Sequence, residues 1–176
     1  YSDELIALAS MRAPEERSQS GPVFHDVVGL GKIVEAETSQ EGGFHLNVRG
    51  VGRALVVTEL DVETPYRQVR AVHLEERLSE QQEADRLIGS IRGNLLMLND
   101  RDVDGAELLN FEVGLLDDPG AIADVVGVAV FPNTDGRRRL LEELDVRKRL
   151  ARVEKRLSRL IVRAFHKNPP DPSEKN

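Results

Sequence analysis

The sequence predicts an α+β protein, with a β lobe over residues 1–76, a helical lobe over 77–165 and a disordered tail over 166–176. Three observations carry this reading. Phe44, Leu46 and Val48 alternate with His45, Asn47 and Arg49, the period of a strand with one buried face. From Ser79 the apolar spacing changes to three and four, the period of an amphipathic helix. Asp117-Asp118-Pro119 is a helix start, a side-chain cap followed by proline at the first helical position.

In the β lobe, Leu5 to Ala9 is a continuous apolar run, long enough for a buried strand and short for a helix. Ala13 to Pro22 is rich in Pro, Glu, Arg, Ser and Gly and predicts a loop. Val27 to Ala36 is strand-like, with Gly29 and Gly31 suggesting a bulge or a close backbone approach. Ser39 to Gly43 supplies a hairpin turn. Gly50-Val51-Gly52 interrupts the strand that follows, Arg53 to Glu59 forms another, and Tyr66 to Leu74 a further one. Short sequential strands between Gly- and Pro-bearing turns favour an antiparallel barrel or curled sheet.

The helical lobe opens with Ser79-Glu80-Gln81-Gln82, a capping-box pattern. Ala84, Leu87, Ile88, Ile91, Leu95 and Leu98 form the stripe of a helix that stops at Asn99-Asp100, and a short helix follows over Ala106 to Phe111. After the Asp118-Pro119 start, Ile122, Val125, Val126 and Ala129 face inward, and Phe131-Pro132 ends that element. A helix carrying Leu140, Leu141 and Leu144 comes next. Asp145 then caps a long basic helix with Leu150, Val153, Leu157, Leu160, Ile161 and Ala164 as its stripe.

The 176 residues include 40% apolar and 31% charged side chains, enough for a real core. No apolar run approaches the ~20 residues a membrane span needs. With no cysteine, disulfides and thiolate chemistry are excluded, and a cytoplasmic location is the natural expectation. Net charge is −7, unevenly spread: Arg137 to Arg163 carries eleven basic and four acidic side chains, whereas residues 1–136 carry eleven basic and twenty-five acidic. The simpler reading is a solvated helix face that offsets its own protein's acidity; the sharper one is an RNA or anionic-membrane contact.

The chemical inventory is empty. Gly29-Leu30-Gly31-Lys32 resembles the end of a phosphate loop, but Asp26 stands where that loop needs glycine and Ile33 where it needs a hydroxyl. His25, His45, His73 and His166 have no ligand partners at helical spacing. Glu75-Glu76 sits at a strand end and Asp117-Asp118 at a helix cap. No catalytic, cofactor-binding or metal-binding residue is expected.

Leu46 to Glu59 resembles the central hairpin of the Lon protease N-terminal, substrate-binding domain. Val28 to Val34 is similar to that family's preceding strand, Glu41-Gly42-Gly43 to its turn, and Pro65-Tyr66-Arg67 to Glu76 to its next strand. Asp117 to Asp124 and Leu140 to Leu150 are similar to its paired helical signatures, all in the family's order over about residues 4–163. The resemblance implies a PUA-like β-barrel lobe followed by a helical bundle. Two departures stand out. The family opens with a Phe-Pro-Leu-type strand and a second strand that are not found here, and full Lon proteases continue into ATPase and protease domains. A stand-alone member is the expectation.

The resemblance implies a non-catalytic module binding unfolded or tagged polypeptides, with a protease as possible partner and no membrane. Candidate contacts are the aromatic residues near predicted loops, Phe24, Phe44 and Tyr66; core packing is the simpler reading for each. The alternatives are an adaptor or oligomerisation protein that docks a protease or other partner, and an RNA-binding PUA-like protein. An acidic β lobe and the absence of tryptophan weigh against nucleic acid.

Overall fold

A computed structural model describes residues 5–12, 17–18, 21–39, 42–100 and 103–167. The chain divides into two compact units, Tyr1–Glu75 and Glu76–Asn176.

The first unit is built from β1 (Leu5–Leu8), β2 (Arg17–Ser18), β3 (Gly21–Pro22), β4 (Val27–Thr38), β5 (Phe44–Leu60) and β6 (Gln68–Leu74). Four of these form an antiparallel sheet in the order β1-β4-β5-β6. β1 and β4 are arms of one long hairpin. Beyond Leu8↔Gly29 it continues through the Met11↔Phe24 bridge, and Arg17↔Pro22 and Ser18↔Gly21 pair near its tip. The segment expected to be a loop therefore contains a small ribbon; residues 13–16 and 19–20 lie outside the described residues.

The expected closed barrel is not what the described residues show. A barrel must bring its first and last strands into register, and here β1 and β6 do not pair, which leaves an open sheet with two edges. The expected break at Gly50-Val51-Gly52 is instead a bulge inside one continuous strand: Leu30 pairs with Gly52 and Gly31 with Gly50, so Val51 is the extra residue. Two further register shifts leave Val34 and Val57 extra in the same way. All three bulged valines are exposed. At Gly31 a Cβ would collide with Val48 Cγ1, which is why the sheet needs glycine there. The Ser39–Gly43 turn forms as expected, with the Ser39 amide donating to the Gly43 carbonyl at 3.0 Å and with Gly42 and Gly43 at φ of 84° and 107°.

The second unit holds α1 (Gln81–Asn99), α2 (Ala106–Gly114), α3 (Pro119–Val130), α4 (Thr134–Leu141) and α5 (Val146–Lys167). Its core is drawn from its own residues: Ala84, Ile91, Leu95 and Leu98 of α1, Val113 of α2, Ile122, Ala123 and Val126 of α3, and Leu150, Val153 and Leu157 of α5. Each fully buried Leu or Ile contributes about 1.5–3 kcal/mol. α5 packs against both α1 and α3.

Asp118 caps α3 as expected, accepting from the Ala121 amide at 2.6 Å. Asp145 caps α5, accepting from the Lys148 amide at 3.2 Å. The capping box at Ser79 does not form. Glu80 takes a left-handed conformation at the helix start, and the Ser79 hydroxyl donates to Asp145 at 2.9 Å instead. Tertiary pairing is the reason: the Arg77 amide donates to the Leu144 carbonyl and the Val146 amide to the Arg77 carbonyl, which carries Ser79 to the start of α5. Ala129 is exposed rather than inward, because Val126, Gly127 and Val130 take the buried face of α3. α2 runs three residues past its expected end, Leu144 falls in the link after α4, and α5 reaches Lys167, two residues into the expected tail. Residues 168–176 lie outside the described residues.

Candidate functional site

In the first unit the apolar side chains are mostly on the outside. The only buried hydrophobic residues described there are Val28 and Ala54, which face each other across β4 and β5. One residue along each strand the side chains point to the opposite face. There Val27, Leu55 and Val72 form a row across β4, β5 and β6, and Leu8, Gly29, Arg53 and Leu74 form the next row. Leu8 is 57% exposed, Val72 56%, and Leu55 is exposed as well. Arg53, in that row, is buried, with only 5% exposed. Leu8, Leu55 and Val72 are thus exposed apolar positions on one face, interrupted by Arg53, beside two strand edges that are open among the described residues.

The rim of this face is polar and internally balanced. Arg67 makes a bidentate ion pair with Glu59, its Nη2 donating at 2.6 Å, and Arg12 lies 3.7 Å from Asp26. The Arg67 hydrogen bond holds the Glu59 carboxyl below its usual range, against the small opposing effect of burial. The Arg67 guanidinium also lies over the Phe24 ring, 4.7 Å from its centroid.

The three aromatic residues singled out from sequence are not placed together. Phe24 is half-buried, bridged to Met11 and covered by Arg67. Tyr66, next to Arg67, is 64% exposed, so Phe24 and Tyr66 share one end of the sheet. Phe44 is 73% exposed at the β4–β5 turn, at the other end of β5. The 17 residues of β5 give a contour of about 50 Å between those ends, so no single short groove holds all three. Sequence reasoning missed Leu8, Leu55 and Val72. The signal for Leu55 was Ala54-Leu55-Val56-Val57, apolar at both parities. That pattern reads equally as a strand buried on both faces.

The second unit contains a buried charge cluster with a structural role. Arg149 is 0% exposed; its Nη2 donates to Glu76 at 2.6 Å, its Nη1 to the Glu143 carbonyl at 3.0 Å, and Asp124 lies 3.4 Å from Nε. Burial lowers the guanidinium's proton affinity, and Asp124, Asp118, Glu143 and Asp145 oppose that loss. Gly120 lets the cluster close, since a Cβ there would sit 2.9 Å from Glu76 and 3.1 Å from Arg149. Among the described residues no three His, Asp or Glu are grouped to hold a metal, and no helix is long and apolar enough to cross a membrane.

Comparisons with known proteins place this arrangement. A Lon protease from Desulfosudis oleivorans (strain DSM 6200 / JCM 39069 / Hxd3) is 26% identical over 162 residues, covering 89% of this chain and 19% of that protein. The chain therefore spans about a fifth of that relative's length. Among solved structures, the N-terminal domain of Mycobacterium avium complex Lon protease superposes with a TM-score of 0.65 at 25% identity, covering 86% of this chain and 77% of the other. Residues 2–159 match the ATP-dependent protease La (LON) substrate-binding domain. The chain belongs to the Lon substrate-binding domain family.

Proposed function

We propose that this chain is a polypeptide-recognition module that engages unfolded or tagged segments on the outward apolar face and open edges of its β unit. The observation that carries the reading is the exposure of Leu8, Leu55 and Val72, from two neighbouring rows on one face of a sheet with unpaired edges among the described residues. An extended chain added at β1 or β6 would gain main-chain hydrogen bonds, and these exposed positions would take its apolar side chains. Tyr66 at the same end, beside the Phe24–Arg67 stack, adds an aromatic contact whose hydroxyl stays wet. Phe44 serves as a separate contact at the far turn. Membership of the Lon substrate-binding family supports the assignment.

The test is fluorescence anisotropy with a labelled, net-neutral unfolded peptide rich in Leu and Phe, alongside a folded protein of similar size. Selective binding of the unfolded chain, weakened in a Leu8→Ser/Val72→Ser variant whose melting is unchanged, is the expected result. Equal affinity for the folded control, or no effect of the double substitution, would contradict it.

A further inference from the structure

The basic segment is not uniformly solvated or uniformly neutralised. Its first part is paired within the unit: Arg138 with Asp135 and Glu142, Arg139 with Asp135, Arg147 with Glu80, Arg149 with Glu76 and Asp124, and Arg152 with Glu143. Beyond Arg152 the pairing stops. Lys155, Arg159 and Arg163 stand four residues apart on α5, exposed, with no carboxylate partner among the described residues. Like charges at that spacing repel along a helix, and none of the three is ion-paired among the described residues.

Two adjoining depressions share these cations. The first, a cleft of about 530 Å³, has Phe131 and Pro132 on one side and Lys155 and Arg159 on the other. The second continues along α5 past Lys155 and Arg159 to Val162 and Arg163. Arg156 is held at the boundary, donating to the Val130 carbonyl at 3.1 Å beside the Phe131 ring.

We infer that this face of α5 docks an extended acidic peptide segment carrying an apolar residue at its end. Spacing supports the occupant: cations four residues apart on a helix rise about 6 Å, and carboxylates two residues apart on an extended chain are separated by about 6.6 Å. An Asp/Glu-x-Asp/Glu-x-Asp/Glu segment therefore matches the row, with Phe131, Pro132 and Val162 available to apolar side chains at either end. A nucleic acid fits less well, because the Phe131 ring is half-buried beside Arg156 rather than presented as an open platform for base stacking. This surface is distinct from the sheet face proposed above, and a net-neutral peptide separates the two.

The experiment measures anisotropy of a labelled acidic peptide of that pattern, the net-neutral peptide, a single-stranded RNA oligomer and phosphatidylserine vesicles, against the whole chain. The variants are Lys155→Gln/Arg159→Gln/Arg163→Gln and the corresponding triple Glu variant. The acidic peptide is expected to bind with salt-sensitive affinity and to lose about tenfold or more in the Gln variant. The net-neutral peptide should be unaffected. Because the Gln variant also removes the repulsion, its melting temperature should hold or rise, whereas a structural role for the row would lower it. Unchanged acidic-peptide binding in both variants would overturn the proposal, as would RNA or vesicles binding more tightly than the peptide.

Discussion

At the scale of single residues, Arg149 is the side chain on which most depends. It is wholly buried, and removing it takes a counter-charge from the part-exposed Glu76 and Asp124 and leaves a cavity where its side chain stood. Breaking a buried pair from one side costs about 3–5 kcal/mol, so Arg149→Ala should lower unfolding free energy by that order in a urea titration. Asp118→Ala removes a cap from α3 and should cost about 1 kcal/mol in the same assay. Asp145 sets a pH dependence. Burial opposes its ionisation, but the Ser79 hydroxyl, the Lys148 amide and the charges of Arg147 and Lys148 outweigh it and hold the carboxyl below its usual value. Its folded affinity for protons is therefore lower than its unfolded affinity. The stability it contributes is present above about pH 4 and is lost as pH falls through the depressed value. Melting temperature should be level between pH 7 and 5 and fall below about 4, and Asp145→Asn should flatten the fall. How legible these residues were differs sharply. The Asp118 cap could be read from three adjacent letters, because a cap is local. The buried Arg149 could not, since Glu76 lies 73 residues away and Arg149 sits in a run of surface cations.

At the scale of elements, the helices were the readable part, because a buried stripe imposes its period on the chain. α1, α3 and α5 fall where their apolar spacing puts them, and the misplacements are at ends decided by tertiary contact, as at Ser79. Strands gave their positions but not their exposure. Alternation in Phe44 to Val48 is that of a half-buried strand, yet Phe44 and Leu46 are exposed. Period two shows that two faces differ and says nothing about what lies against them. The bulges were half-visible: the glycines at 29, 31, 50 and 52 marked the place, while only the pairing showed that Val51 is extra and that β5 runs on. Gly31→Ala tests that pairing. The new methyl would be driven into Val48, and overpacking of this kind costs about 1–3 kcal/mol. The change should appear as a drop in melting temperature that Val48→Ala partly restores.

At the scale of the whole molecule, the two units differ in where their apolar residues go. The helical unit encloses a core drawn from its own side chains, so residues 76–176 alone are expected to give a cooperative helical melt by circular dichroism. The β unit buries little and displays much, as a surface that receives another chain would. The sequence made the family recognisable through the order of its motifs, since order along the chain survives when individual residues vary. It could not show which residues form the outward face, because that depends on a register settled between strands. The central claim is that this face receives unfolded polypeptide. Amide hydrogen exchange of the whole chain with and without the net-neutral unfolded peptide tests it most directly. The account predicts added protection in β1 and β6 and at the Tyr66 end of the sheet; protection confined to the helices, or none anywhere, would contradict it.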